Sequence, residues 1–138
     1  MKHINRLLLV TMIFAGLLLS ACGAKTAAPE KIVPSKLEPI EGTDLSKVIL
    51  TEKAAERIGV EMVSASGTSV PYAAVIYDIE GNTWIYTSPE PLTFVREQIV
   101  IDRIEGDTAF LAESLPGVLP VVTVGVIEIY GAETGVSK

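Results

Sequence analysis

The sequence predicts a mainly β fold with one short helix, arranged as a small antiparallel domain of hairpins and meanders behind an N-terminal leader. Three observations lead there. From Val70 to the end, β-branched and aromatic residues recur at strand spacing. Gly-Asx pairs at Gly81-Asn82 and Gly106-Asp107 sit between apolar runs, where hairpins turn. Only "TEKAAERIG", Thr51 to Gly59, combines helical spacing with a cap and a stop.

In a chain of 138 residues, with one Cys and one His, there is room for one modest domain. Residues 1–21 are expected to be a lipoprotein signal peptide. Lys2 and Arg6 precede an apolar run from Leu7 to Leu19 that is followed by "SAC", ending at Cys22. A membrane span is the competing reading, but it needs about 20 apolar residues. "LSAC", Leu19 to Cys22, resembles the bacterial lipobox, which implies Cys22 as the lipid-attachment residue. A free thiol would have no cysteine to pair with in this chain. Two or more acyl chains suffice for a stable anchor, so the expected location is a membrane-anchored lipoprotein facing the periplasm or cell exterior.

Cleavage before Cys22 removes Lys2 and Arg6 and takes the net charge from −6 to −8. A chain this acidic argues against nucleic acid as a partner. Residues 22–45 read as the lipidated Cys followed by a flexible tether, with Pro29, Pro34 and Pro39 among Lys, Glu and small residues. The folded domain is then expected over 46–134, with 135–138 a tail.

Within it, "SKVIL", Ser46 to Leu50, reads as a strand. The helix follows, with Thr51 as N-cap, Ala54, Ala55 and Ile58 on the inner side and Gly59 as stop. Glu52 and Glu56 are one turn apart and fall on the solvated side, away from Ala55 and Ile58. "VEMVSA", Val60 to Ala65, is a second strand candidate, and it or Val48 to Leu50 closes the sheet.

The stretch "VPYAAVIYDIEGNTWIY", Val70 to Tyr86, reads as a hairpin. A two-residue type II′ loop at Gly81-Asn82 sets Glu80 opposite Thr83, Ile79 opposite Trp84, Tyr77 opposite Tyr86 and Val75 opposite Ser88. Because side chains alternate, Ile79, Trp84, Tyr77 and Tyr86 then share one face. That face is expected to be core, with a ligand-stacking platform as the alternative. "IEGDT", Ile104 to Thr108, echoes "IEGNT", Ile79 to Thr83, and is read as shared turn chemistry rather than duplication. "SPEP", Ser88 to Pro91, and "LPGVLP", Leu115 to Pro120, mark loops, and "VVTVGVIEIYGAE", Val121 to Glu133, is the final apolar run.

No catalytic, metal or cofactor residues are expected. The only His, His3, lies in the leader, and Met62 reads as a core filler. The expectation is a binding protein rather than an enzyme.

The order of Val70-Pro71, Ala74-Val75, Gly81, "TWIY" (Thr83 to Tyr86), "FVREQIVI" (Phe94 to Ile101), Gly106, "VVTVG" (Val121 to Gly125) and "YGAE" (Tyr130 to Glu133) resembles the membrane-proximal end of periplasmic adaptor subunits, or membrane fusion proteins, of RND-type efflux pumps. "VILTEKAAERIGVEMVSA", Val48 to Ala65, is similar to the segment opening the folded part of many heavy-metal-type adaptors. At "LPGVLPVV", Leu115 to Val122, the turn glycine falls one place early.

In those adaptors the two ends of the chain build one domain, and a β-barrel, a lipoyl-like domain and usually a helical hairpin lie between. Here only "SGTSV", Ser66 to Val70, joins the two parts. The resemblance implies an accessory or reduced adaptor with a role in transmembrane transport. Its partners would be an RND-type transporter or full-length adaptor subunits, with the membrane reached through the lipid anchor. The alternative is a free-standing envelope lipoprotein with a small-molecule-binding or structural role.

Overall fold

The computed structural model describes residues 33–135. The expected signal peptide, Cys22 and the first part of the tether lie outside the described residues. The order of elements is β1 (Ser35–Pro39), β2 (Ser46–Leu50), α1 (Glu52–Ile58), β3 (Glu61–Ala65), β4 (Ser69–Pro71), a 3-10 turn (Tyr72–Ala74), β5 (Ile76–Tyr77), β6 (Thr83–Glu90), β7 (Thr93–Ile99), β8 (Ile101–Glu105), β9 (Thr108–Leu111), β10 (Leu119–Val124) and α2 (Val126–Thr134).

The domain is mainly β, with two antiparallel sheets and two short helices. The larger sheet has seven strands in the order β1-β2-β7-β6-β10-β3, with β5 pairing onto the start of β6. The smaller has three, β4-β9-β8. Alternation in the central strands fixes the layering. Ile85 and Tyr86 are both fully buried, as are Val121 and Val122, and neighbouring residues of a strand point to opposite faces. Tyr86 and Val122 join Val48, Leu50 and Phe94 in a core closed by Ala54 of α1 and by Val126 and Ile129 of α2. Ile85 and Val121 join a second core with Val70, Ala109 and Leu111 of the smaller sheet.

Helix α1 forms as its sequence dictates. Thr51 Oγ1 accepts a hydrogen bond from Ala54 N at 3.2 Å, and Gly59 ends the helix in the left-handed conformation at φ 70°. Ala54 is buried, while Glu52 and Glu56 are exposed. Both strands proposed to close the sheet take part, since β2 pairs with β7 and β3 with β10.

Three features differ from the sequence reading. First, the sheet begins inside the expected tether. Ser35–Pro39 forms β1 and pairs with β2, Leu37 opposite Val48. Pro34 and Pro39 flank or end an edge strand, where a missing N–H is tolerated. Second, the final apolar run is a strand only as far as Val124; a second helix, α2, follows. Val126, Ile129, Tyr130 and Glu133 fall at i, i+3, i+4 and i+7, a helical face disguised by β-branched residues. Third, the opening hairpin has another register. Tyr77 pairs with Thr83 and Ile76 with Trp84, leaving a five-residue loop in place of the type II′ turn. That is a shift of an odd number of residues, which exchanges the faces. Trp84 and Tyr86 therefore share a face with buried Ile76, while Tyr77 and Ile79 are exposed.

The second hairpin does have the two-residue loop, with Glu105 opposite Thr108 and Gly106 at φ 57°. "SPEP" falls where the β6–β7 register slips between Thr87 and Glu90, and the turn continues through Leu92 at φ 59°.

Gly125 joins β10 to α2 at φ 85°, and a Cβ there would lie 2.5 Å from Ile58 Cγ2. Gly125→Ala is therefore expected to lose about 1–3 kcal/mol through overpacking, beyond the cost of a left-handed alanine. Gly42→Ala, at φ 79° with no atom within 4 Å, bears only the backbone cost. Denaturant melts of the two variants should separate the terms; equal losses would remove the contact with Ile58 as the cause.

Candidate functional site

The most strongly organised surface feature is the loop between β5 and β6. Asp78 holds it together. One carboxylate oxygen accepts from the backbone N–H groups of Glu80 (3.0 Å) and Asn82 (2.8 Å), and the other from Asn82 Nδ2 (2.9 Å) and Trp84 Nε1 (2.9 Å). Asp78 N and Asn82 O also pair at 3.0 Å. Desolvation works to raise the Asp78 pKa, but the hydrogen bonds from Asn82, Trp84 and Glu80 outweigh it and hold the group at about 2.

This braced loop carries Ile79 at 95% exposure, with Tyr77 and Tyr72 also exposed. The Tyr77 hydroxyl is held above its ordinary pKa, first by hydrogen bonding with Tyr72 beside it and then by desolvation. An isoleucine left in water on a hydrogen-bonded support, two residues after an exposed tyrosine, has the composition of a docking surface, because binding it orders little that is not already ordered. Ile79 and Tyr77 were expected in the core; their position here is the direct consequence of the register shift.

Beneath the loop, a line of polar contacts runs to the C-terminal helix. The Arg96 guanidinium lies 4.5 Å from the Trp84 ring centre and 5.5 Å from that of Tyr130. Arg96 Nε is 3.3 Å from Glu133 Oε2, the two side chains being 12% and 4% exposed. The N–H is not aligned on that oxygen and has no other acceptor, so the contact is an ion pair supported by the two aromatic faces. Glu133 also accepts from the Tyr86 hydroxyl and from Ser46 N at 3.4 Å. Burial first, and the neighbouring Glu133 carboxylate second, push the Tyr86 pKa well above its ordinary value, so Tyr86 remains a donor.

Glu133 on α2 thereby joins β2, β6 and β7, while Asp78 ties the exposed loop to the same array through Trp84. None of Asp78, Arg96, Tyr130 and Glu133 stood out as a site residue in the sequence. Asp78 has a legible signal in retrospect: the residue in the equivalent place of the second hairpin is Arg103, and that hairpin makes the shorter turn.

Among the described residues, no three of His, Cys, Asp and Glu are grouped so as to hold a metal ion, and no helix is long and apolar enough to cross a membrane. Cys22, the expected lipid-attachment residue, lies outside the described residues. No protein family, curated protein or solved structure matches the chain.

Two expectations follow. A carboxylate whose pKa is lowered by folding contributes stability that is present above its unfolded value, about 3.9, and lost as pH falls through the folded value. Trp84 fluorescence should hence stay constant from neutral pH down to about 4 and change only as pH approaches 2. Asp78→Ala should show the altered spectrum already at pH 7; an unaltered spectrum there would remove Asp78 as the brace.

Glu133→Ala should cost about 3–5 kcal/mol in a denaturant melt, because it strands a largely buried guanidinium. Replacing both partners, Arg96→Met with Glu133→Leu, should recover part of that loss. A double variant less stable than Glu133→Ala would show that the Trp84 and Tyr130 contacts, rather than the ion pair, justify burying Arg96.

Proposed function

We propose that this chain is an extracytoplasmic lipoprotein that acts by protein–protein binding, as an accessory or reduced adaptor subunit of an RND-type efflux system. The observation that carries the reading is the way the two halves share one sheet. Strand β2 pairs with β7 and β3 with β10, so the strands before Ser66 lie at both flanks of those after it. In the adaptors that the sequence resembles, the two ends of the chain likewise build one domain. The link from β3 to β4 passes only through Ser66–Thr68, at the place where a full adaptor carries its remaining domains.

The proposed docking element is the Asp78-braced loop. Ile79 would enter an apolar recess of the transporter or of a full-length adaptor, with Tyr72 and Tyr77 flanking it. The lipid on Cys22 would confine the domain to the membrane holding its partner and raise its effective concentration there. Transport energy would come from the transporter.

Crosslinking in intact envelopes tests this. The full-length protein should crosslink to the extracytoplasmic part of the transporter, or to a full adaptor. Ile79→Asp should reduce the yield by about tenfold, as for loss of a central apolar contact. Cys22→Ser should leave an unprocessed precursor and lower the yield as well. Deleting the gene should weaken efflux only in strains that hold the transporter. No crosslink where the pump assembles, with efflux unchanged on deletion, would overturn the adaptor reading and leave a free-standing envelope lipoprotein.

A further inference from the structure

A second surface, separate from the Ile79 loop, is the free edge of β3. The two sheets have five edge strands among the described residues: β1, β3 and the two-residue β5 in the larger, β4 and β8 in the smaller. An edge presents unpaired backbone N–H and C=O groups and is normally protected by charge, proline or shortness. Strand β1 has Lys36, Glu38 and Pro39, β8 has Asp102, Arg103 and Glu105, and β4 is three residues long and ends in Pro71. Strand β3, "EMVSA", has a charge only at its first position and contains no proline.

Both cores also run out at β3. Met62 is opposite Val122 and Val63 opposite Val121, and those two valines are buried on opposite faces of the sheet. Met62 and Val63 are nevertheless 47% and 40% exposed, because no further strand covers them. A groove of about 370 Å³ lies alongside, bounded by Val63, Ser64 and Ala65 on one wall and by Val70, Pro71 and Asp107 on the other. Strand β4 thus stands off from the edge and leaves it accessible.

We infer that β3 is a homodimerisation edge, pairing antiparallel with β3 of a second copy about a two-fold axis through Val63. The occupant must be a strand with apolar side chains on both of its faces at adjacent positions, and β3 itself supplies this. Residues opposite each other share a face, so a two-fold pairing centred on Val63 places Val63 against its own copy. It places Met62 against Ser64 and Glu61 against Ala65. This register covers Met62 and Val63 and keeps the two Glu61 carboxylates apart, whereas centring on Glu61 would bring like charges together. The larger sheets of the two copies would become one continuous sheet. The pairing does not depend on the transporter, so it stands or falls separately from the adaptor reading.

A cysteine scan of the full-length protein in its native membrane tests the register. Directly opposite Cβ atoms lie about 4.5–5.5 Å apart, and pairs offset by two residues about 7–8 Å. Under mild oxidation Val63→Cys should give a disulfide-linked dimer in high yield, with Met62→Cys and Ser64→Cys lower and Glu61→Cys lowest. The unaltered chain, carrying only Cys22, and Val100→Cys, exposed between β7 and β8 and away from the β3 edge, should form no disulfide-linked dimer. Val63→Lys should convert a dimer of the solubilised full chain to monomer by light scattering, with Trp84 fluorescence unchanged as the sign of an intact fold. An unaltered protein that is monomeric by light scattering, a flat scan, or equal crosslinking at Val100 would overturn the proposal, as would a dimer that survives Val63→Lys.

Discussion

The architecture follows from a single constraint on two neighbouring inner strands: β6 and β10 each bury consecutive side chains, Ile85 with Tyr86 and Val121 with Val122. A strand buried at adjacent positions has no face to give to water, so the sheet must be covered on both sides. The two helices cover one side and the three-stranded sheet covers the other. The short link from β3 to β4 carries the chain from the larger sheet into the smaller and the 3-10 turn returns it to β5, while the bonds from Tyr72 N to Asp107 O and from Leu111 N to Thr68 O, each 2.8 Å, extend the β4–β9 pairing at its two ends. Each core is small, and each depends on a cover that is short in sequence.

The helical cover explains the buried ion pair. Helix α2 has nine residues, of which the hydrophobic ones fully buried are Val126 and Ile129, with Tyr130 and Ala132 partly buried against the same core, a small apolar area for fixing its position alone. Glu133, one turn beyond Ile129, adds a directional constraint by accepting from Tyr86 and Ser46 and facing Arg96. A buried pair of this kind contributes little net stability compared with apolar residues of the same volume. Its use here is geometric: the contacts are satisfied in one placement of α2 only, the one that also seats Gly125 against Ile58. Arg96, flattened between Trp84 and Tyr130, carries that constraint across to the strand that supports the Asp78 loop.

What the sequence made legible was local. The cap at Thr51, the stop at Gly59 and the inward Ala54 were readable because each acts within one helical turn. The β10 strand and the two-residue turn at Gly106 were readable for the same reason. The register of the first hairpin was not, because Glu-Gly-Asx-Thr occurs in both hairpins and its outcome is decided two residues upstream. Asp78 can accept from the loop N–H groups and thereby favours five residues over two; Arg103 has no acceptor to offer and instead pairs with Asp102 and Glu105. Moving the register by an odd number took Ile79 from the expected core to the surface in one step. Helix α2 was hidden because "VIEIY" has the composition of a strand, and only the partners of Val126, Ile129 and Glu133, distant in sequence, make it helical. Strand β1 was hidden by prolines that mark a tether when read alone and an edge strand when β2 is beside them.

The exposed apolar residues that remain are not scattered at random over these elements. Ile79 stands on a loop whose conformation is fixed by four hydrogen bonds to one carboxylate, and Met62 and Val63 lie on the edge strand that lacks the charges found on β1 and β8. In both places the chain accepts exposure while holding the backbone rigid. A flexible loop could turn an isoleucine inward, and an edge with a lysine at its centre would discourage pairing at little cost. Rigid support of exposed apolar groups lowers the entropy lost on association. That lower cost is the physical ground on which the proposal of contact with other proteins rests.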